Sequence, residues 1–508
     1  MPHDDQSAYD LLRAHTKETA LLQSINDLLQ WDERTLLPPA GGAFRADQIT
    51  LLSGMVHRRQ TDPRIGEWLD QLADSPLSTD THSDSGTTIR QLRRRYEKLV
   101  KLPQSLVEEL TRTAVIGQQT WEKARPANDF AAFRPVLEKT VKLKRQEAEC
   151  LGYPECPYDA LLDEFEPDES TSNVTRVLGA LREELVPLVA AIRDSGREPR
   201  RELLAQRFPI DAQASFGRAA AEQIGFDFSR GRLDVTAHPF CSGTGPDDCR
   251  ITTRYHERQF GSALFSILHE AGHGIYDQGL RGDQFGLPPG EAISLAIHES
   301  QSRMWENQVG RSRAFWEHLY PAAQRAFPDA LSGVSLHEFY WAVNDVRPSL
   351  IRVEADEATY NLHILVRFEL EQALINDGFS VADLPAAWNE CYAKYLGITP
   401  PDDADGVLQD VHWSAGLFGY FATYSLGNLY ASQFFAAADE ALGGLDGAFR
   451  RGEFQTLREW LRDHIHRPGQ RYTATQLVER VTGKPLSHGP LIAHLKNKLG
   501  PLYGVGWE

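Results

Sequence analysis

Leu178–Ile192 reads LGALREELVPLVAAI. Leu178, Leu181, Leu185, Leu188 and Ile192 recur at intervals of three and four, so all five fall on one stripe of an α-helix. Leu21, Leu22, Ile25, Leu28 and Leu29 repeat the pattern near the N-terminus, and similar stripes continue to the C-terminus. Strand-like text is scarce. Its best instance is Arg250–Tyr255, RITTRY, where β-branched residues follow the turn-forming GTGPDD. Leu36–Gly42 (LLPPAGG) breaks the first helices, and the polar Ser75–Thr88 reads as a surface loop. No internal repeat and no long flexible linker is evident. The expected fold is therefore mainly α: one large helical domain over residues 1–508, divisible into two lobes, with a small β-sheet.

The chain has 508 residues, 41% hydrophobic and 24% charged, which is enough for a large buried core. Its 53 basic and 71 acidic residues give a net charge of −18. Such a surface disfavours nucleic acid and anionic membranes as partners. No run of 18 apolar residues occurs, so no membrane span is expected. The N-terminal MPHDDQSAYD lacks the basic and apolar regions of a signal peptide, which points to a cytoplasmic protein. The five cysteines, Cys150, Cys156, Cys241, Cys249 and Cys391, include no CxxC. Neither a disulfide framework nor a thiolate zinc knuckle is expected.

Chemistry is concentrated in Leu268–Gly274, LHEAGHG. On a helix, residues four apart share a face, so His269 and His273 can both direct imidazole nitrogens at one ion. Zinc accepts such nitrogens at about 2.0–2.1 Å. Glu270 is offset around the helix, where it can take a proton from a water whose pKa the ion has lowered toward about 7. This is the metallopeptidase reading of HExxH. The bland alternative is a solvated helix face that carries two histidines.

A catalytic zinc usually takes three protein ligands. Glu291–Arg303, EAISLAIHESQSR, has a helical pattern. If the Gly- and Pro-containing segment Gly279–Gly290 reverses the chain, this helix can bring Glu299 back over His269 and His273. His298 competes for the same role, but adjacent positions diverge by about 100° on a helix, so both cannot serve one ion. The alternative for Glu299 is a surface pair with Arg303.

Further segments carry a resemblance to the carboxypeptidase Taq family of zinc metallocarboxypeptidases. LLQWDERTLLPPAGGAFRADQ resembles that family's opening WD-x-x-T-x-MP, with Leu37 where Met is usual. PYDALLDEFEP (Pro157–Pro167), His238-Pro239-Phe240, Asp248–Thr252 (DCRIT), HEAGH, His298–Gln301 (HESQ), Ile351–Asp356 (IRVEAD) and Gly406–Trp413 (GVLQDVHW) are similar to family segments and occur in the same order. Ala422 stands where Pro is common. The resemblance implies a helical fold with a deep groove, akin to neurolysin and angiotensin-converting enzyme. It implies removal of single C-terminal residues from peptides, with broad side-chain tolerance and poor action next to proline. It also implies a cytosolic homodimer that holds one zinc per chain, or cobalt in some members.

Such an enzyme must recognise a free α-carboxylate, and a planar guanidinium matches its two oxygens. Arg352, placed on a helix among apolar neighbours, is the first choice. The alternative is a structural pair with Asp356. Arg250 is the other candidate, closing one end of the groove. A Tyr or His donor usually helps to stabilise the oxyanion. GLFGYFATYSLGNLY offers Tyr424, which is preferred, and Tyr420. His238 and His412 are further donors, with structural histidines as the alternative reading. Two rival functions remain: an oligopeptidase or dipeptidyl carboxypeptidase on the same scaffold, and a non-catalytic helical peptide-binding protein.

Overall fold

The computed structural model describes residues 5–507; residues 1–4 of the acidic N-terminal stretch lie outside the described residues. Ser170 starts the helix Thr171–Asp194 by accepting a hydrogen bond from the Asn173 N–H, one of the donors left unpaired at a helix start. The stripe on this helix is buried: Leu178, Leu181 and Leu185 are 0% exposed. Burial of each such side chain contributes about 1.5–3 kcal/mol. They belong to one core that extends from Ala124 to Tyr503. A smaller core joins Tyr9 and Leu12 to Ile65, Leu69, Ile89 and Leu92 in an N-terminal layer.

The N-terminal helix, Asp5–Thr35, departs from expectation. Leu21 is 56% and Ile25 49% exposed, so that stripe faces outward. The opposite face is buried through Tyr9, Leu12, His15 and Thr19. Polar contacts hold it, with Arg59 donating to the His15 carbonyl and to Thr19 Oγ1. Leu36–Gly42 does break the chain, as a tight turn over Pro39–Gly41 before the helix Gly42–Gln60. Ser75–Thr88 is more ordered than a loop. Pro76–Thr79 forms one helical turn, and Ser83 caps the helix Asp84–Lys101 by accepting from the Gly86 N–H. Gly86 is required there, because a Cβ would lie 2.0 Å from the Asp80 carbonyl oxygen.

Three strands form the sheet: β1 (Gly231–Val235), β2 (Cys241–Gly245) and β3 (Asp248–Thr253), in the order β1-β3-β2. β3 is parallel to β1 and antiparallel to β2, with a bulge at Gly243/Gly245. The sheet lies against the helix Phe260–Gly279: the Thr253 hydroxyl donates to the Ala263 carbonyl, and Gly274 leaves room for Cys249 Sγ. The expected small sheet beside the HExxH helix is therefore present. A cleft of about 590 Å³ separates the N-terminal layer from the main core, bounded by Thr16, Ala20, Gln91 and Arg95 on one side and Ser294 and His298 on the other. Among the described residues, no helix is long and apolar enough to cross a membrane.

Candidate metal centre

The helix Phe260–Gly279 is held by Ile267, Leu268, Ala271 and Ile275, each at most 3% exposed. Tight turns at Gly282–Gln284 and Pro288–Gly290 reverse the chain. The next helix, Leu295–Arg303, starts at Ser294, whose Oγ accepts from the Ile297 N–H. Its first turn is also held by Phe165, whose carbonyl accepts from the Leu295 N–H, and by Glu166, whose carboxyl accepts from the Ala296 N–H. Two glycines allow the close approach. A Cβ on Gly272 would lie 2.6 Å from Ser302 Cα and 2.7 Å from the Gln301 carbonyl oxygen. A Cβ on Gly427, in the helix Ala422–Ala441, would lie 2.6 Å from Glu299 Cγ.

This packing makes three donor atoms converge. Glu299 Oε2 lies 3.3 Å from His273 Nε2 and 3.6 Å from His269 Nε2. Ligands at about 2.0–2.1 Å in tetrahedral array stand about 3.3–3.4 Å apart, so the set fits a divalent ion of zinc's size. His269 directs Nδ1 to Glu306 Oε2 at 2.9 Å. His273 Nδ1 meets His298 Nδ1 at 2.6 Å, and His298 Nε2 meets Asp277 Oδ1 at 3.0 Å. These contacts fix ring orientation and leave both Nε2 atoms free for an ion. His298 thus supports His273 rather than joining the convergence. The Glu299–Arg303 pair, the alternative reading of this carboxylate, exists at 2.8 Å, but largely buried rather than at the surface, and it uses the other carboxylate oxygen. The Ser302 hydroxyl donates to Glu299 Oε2.

Burial and charge set the protonation. Burial raises the Glu270 carboxyl to about 7. Burial also lowers His273 to about 4. It opposes protonation of His269 as well, but the Glu299 and Glu306 carboxylates outweigh it and raise that ring to about 9. In spite of burial, His269 and Arg303 hold Glu299 well below the usual carboxylate range.

A second polar cluster lies alongside. Arg352 occupies a tight turn, Arg352–Glu354, not a helix, and is 6% exposed. The alternative pairing with Asp356 does not form. Asp356 instead caps the Ala358 and Thr359 N–H groups, and Arg352 pairs with Asp410 through Nε at 2.9 Å and Nη2 at 2.8 Å. Arg367 binds the other oxygen of Asp410 at 2.6 Å. Two guanidiniums around one carboxylate leave the cluster cationic. His412 stands beside it, lowered to about 4 by burial, with Nε2 3.3 Å from the Tyr424 hydroxyl. Tyr420 packs edge-on against Tyr424. Burial, reinforced by neighbouring phenols and by Glu299, keeps the Tyr424 hydroxyl protonated.

Not every candidate joins these clusters. His238 is exposed in the turn between β1 and β2. Arg250, on β3, binds Asp248 and stacks 4.3 Å over Trp31 of the N-terminal helix. Asp277, Glu306, Tyr360, Arg367 and Asp410 complete these clusters without having been candidates from the sequence. Asp277 continues the 269, 273 series by four; Asp410 stands in GVLQDVHW, one of the segments similar to the family, but that text gives no direction for its partners.

A buried His-Glu-x-x-His helix, met by a carboxylate from a second helix, marks a metal-dependent peptide hydrolase. The chain belongs to the carboxypeptidase Taq (M32) metallopeptidase family, whose model matches residues 11–499. It is similar to thermostable carboxypeptidase 1 of Thermus thermophilus, at 47% identity over 98% of this chain and 99% of the relative. It is also similar to carboxypeptidase 1 of Bacillus subtilis, at 38% identity over 98% of each chain. The crystal structure of the M32 carboxypeptidase from Deinococcus radiodurans R1 superposes with a TM-score of 0.95 at 41% identity, covering 98% of this chain and 100% of that one. The chain is accordingly a metallocarboxypeptidase.

Proposed function

We propose that the chain is a zinc-dependent carboxypeptidase that releases single C-terminal residues from peptides, with broad side-chain tolerance and poor action beside proline. The observation that carries this reading is the convergence of His269, His273 and Glu299, whose donor atoms lie within 4.8 Å of one another, with both imidazole Nε2 atoms within 3.6 Å of Glu299 Oε2. These three residues hold the ion, zinc or alternatively cobalt. When bound, a divalent ion acidifies water and polarises a carbonyl. Glu270, raised to about 7, takes the proton of the attacking water and passes it to the leaving amine. The Tyr424 hydroxyl donates to the developing oxyanion, with His412 and Tyr420 orienting it. Arg352, within its cationic cluster, receives the terminal carboxylate, and Arg250 bounds the groove on the sheet side. His238 has the weakest support of the proposed donors, since it is exposed. The family resemblance further supports one domain over residues 1–508, in two lobes around the cleft, and a cytoplasmic homodimer.

The test is metal analysis coupled to a peptide-ladder assay by mass spectrometry, with and without chelator. The expected result is one zinc per chain and successive losses of one residue, abolished by chelator. Losses of two residues or internal cuts would instead favour the dipeptidyl or oligopeptidase reading. Glu270→Gln is expected to keep its metal and lose turnover, and near-normal turnover would reject the role of Glu270.

A further inference from the structure

Among the described residues, one other group of ligand-type side chains meets outside the His269/His273/Glu299 convergence. Cys241 on β2 and Cys249 on β3 lie on one face of the hairpin, with their sulfurs 3.7 Å apart. Asp277, near the C-terminal end of the HExxH helix, places Oδ2 3.9 Å from Cys241 Sγ. The three donor atoms lie within 4.8 Å of one another. Two sulfurs bound at about 2.3 Å to one tetrahedral ion stand about 3.8 Å apart, close to the spacing seen. A disulfide suits the pair less well. Cys241 lies opposite Ile251, so Cys249 is its diagonal neighbour, and diagonal Cα atoms usually lie about 7–8 Å apart, beyond the usual disulfide range.

The surroundings fit a ligand set. Asp277 Oδ1 is fixed by His298 Nε2 at 3.0 Å, which aims Oδ2 at the sulfurs. Gly243 makes room for that oxygen, since a Cβ there would lie 2.8 Å from it. Among the described residues, no Lys or Arg pairs with Asp277; its one ion-pair partner is His298. Asp277 and Gly243 also line a cavity of about 340 Å³ between the N-terminal helix and the hairpin, which gives an ion a way in. No CxxC spacing announces the group, because its ligands come from two strands and a helix.

The geometry points to a second cation site, formed by Cys241 Sγ, Cys249 Sγ and Asp277 Oδ2 with solvent as fourth ligand, selective for thiophilic divalent ions such as zinc or cadmium. The thiols lose their protons to solvent as the ion binds. Because the sulfur ligands distinguish it from the His269/His273/Glu299 group, it can be read independently of the catalytic proposal.

The test titrates cadmium into the full-length protein carrying its resident metal, reduced with a phosphine, and follows thiolate-to-cadmium charge-transfer absorption. A band saturating at about one cadmium per chain is expected, lost in Cys241→Ser/Cys249→Ser. Asp277→Asn is expected to weaken cadmium binding by roughly tenfold or more. Should the double variant fail to fold, alkylation of the wild-type protein mapped by peptide mass spectrometry decides: cadmium must protect Cys241. Absence of the band, its persistence in a folded double variant, or unaltered alkylation of Cys241 would each overturn the site.

Discussion

Replacing Gly272 by Ala tests whether helix separation alone controls the metal centre. The new Cβ would stand 2.6 Å from Ser302 Cα, where ordinary contact begins near 3.4 Å. The helix that carries Glu299 must therefore retreat by about 0.8 Å. Metal–ligand distances tolerate only about 0.2 Å, so in the proposed ligand set Glu299 Oε2 can no longer share one ion with His269 and His273. Global stability changes much less. Overpacking costs about 1–3 kcal/mol, and about 1 kcal/mol of this is returned by the helix propensity of alanine. The expected protein is folded, with a small drop in Tm, and its metal affinity falls by roughly 10–100-fold or more, as for loss of a supporting contact. Metal content after dialysis against a graded chelator series reads the affinity, and peptide turnover at saturating metal reads what remains of catalysis. Wild-type metal retention in Gly272→Ala would refute the reasoning, since it would mean that the two helices can part without moving Glu299.

Glu306→Gln removes the carboxylate that orients His269, and metal affinity is expected to fall about 10–100-fold, measured by chelator competition. Asp410→Asn leaves Arg352 and Arg367 buried against a neutral partner; a loss of about 3–5 kcal/mol in urea unfolding is expected, and an unchanged midpoint would contradict the cluster's role. Arg352→Lys is expected to raise KM for free peptides by tenfold or more, a factor worth about 1.4 kcal/mol, while the difference between free and C-terminally amidated peptides narrows. Glu166 is buried and raised to about 8 from an ordinary 4.5, so the folded state keeps a proton that the unfolded chain releases. The contribution of Glu166 to stability is therefore fully present below about 4.5 and is lost, by up to about 4–5 kcal/mol, as pH rises toward 8; Glu166→Gln should flatten that part of the decline in urea midpoints taken from pH 5 to 9.

Sequence periodicity made legible those parts of the candidate site that depend on neighbours along the chain. His269, Glu270 and His273 are set by one helical turn, and Glu299 by the return of a second helix after a Gly- and Pro-rich reversal. Glu306 lies past that helix in a wider π-type turn, Met304–Val309, so a period of 3.6 gives no direction for it. Arg352 seemed to have a local partner in Asp356, yet the cap on Thr359 claimed that carboxylate and left Arg352 to Asp410, 58 residues away. The outward stripe of Leu21 and Ile25 shows the same limit for the fold. Apolar spacing identifies a helix and a face, but which face is covered depends on elements that pack from elsewhere, here through Arg59.

Tyr360 joins the two polar clusters and gives a physical basis for exopeptidase action. Its ring lies 4.2 Å beneath the Arg303 guanidinium, which also grips Glu299 and Glu306. Its hydroxyl accepts from Arg352 Nη1 at 3.0 Å. A rigid aromatic ring, 5% exposed, thus spans from the residues behind the metal centre to the proposed carboxylate anchor. Neither arginine can shift without losing a carboxylate partner, so the separation of the two ends is fixed by packing rather than by flexible side-chain reach. On the proposed mechanism, that separation measures the substrate from its attacked carbonyl to its terminal carboxylate.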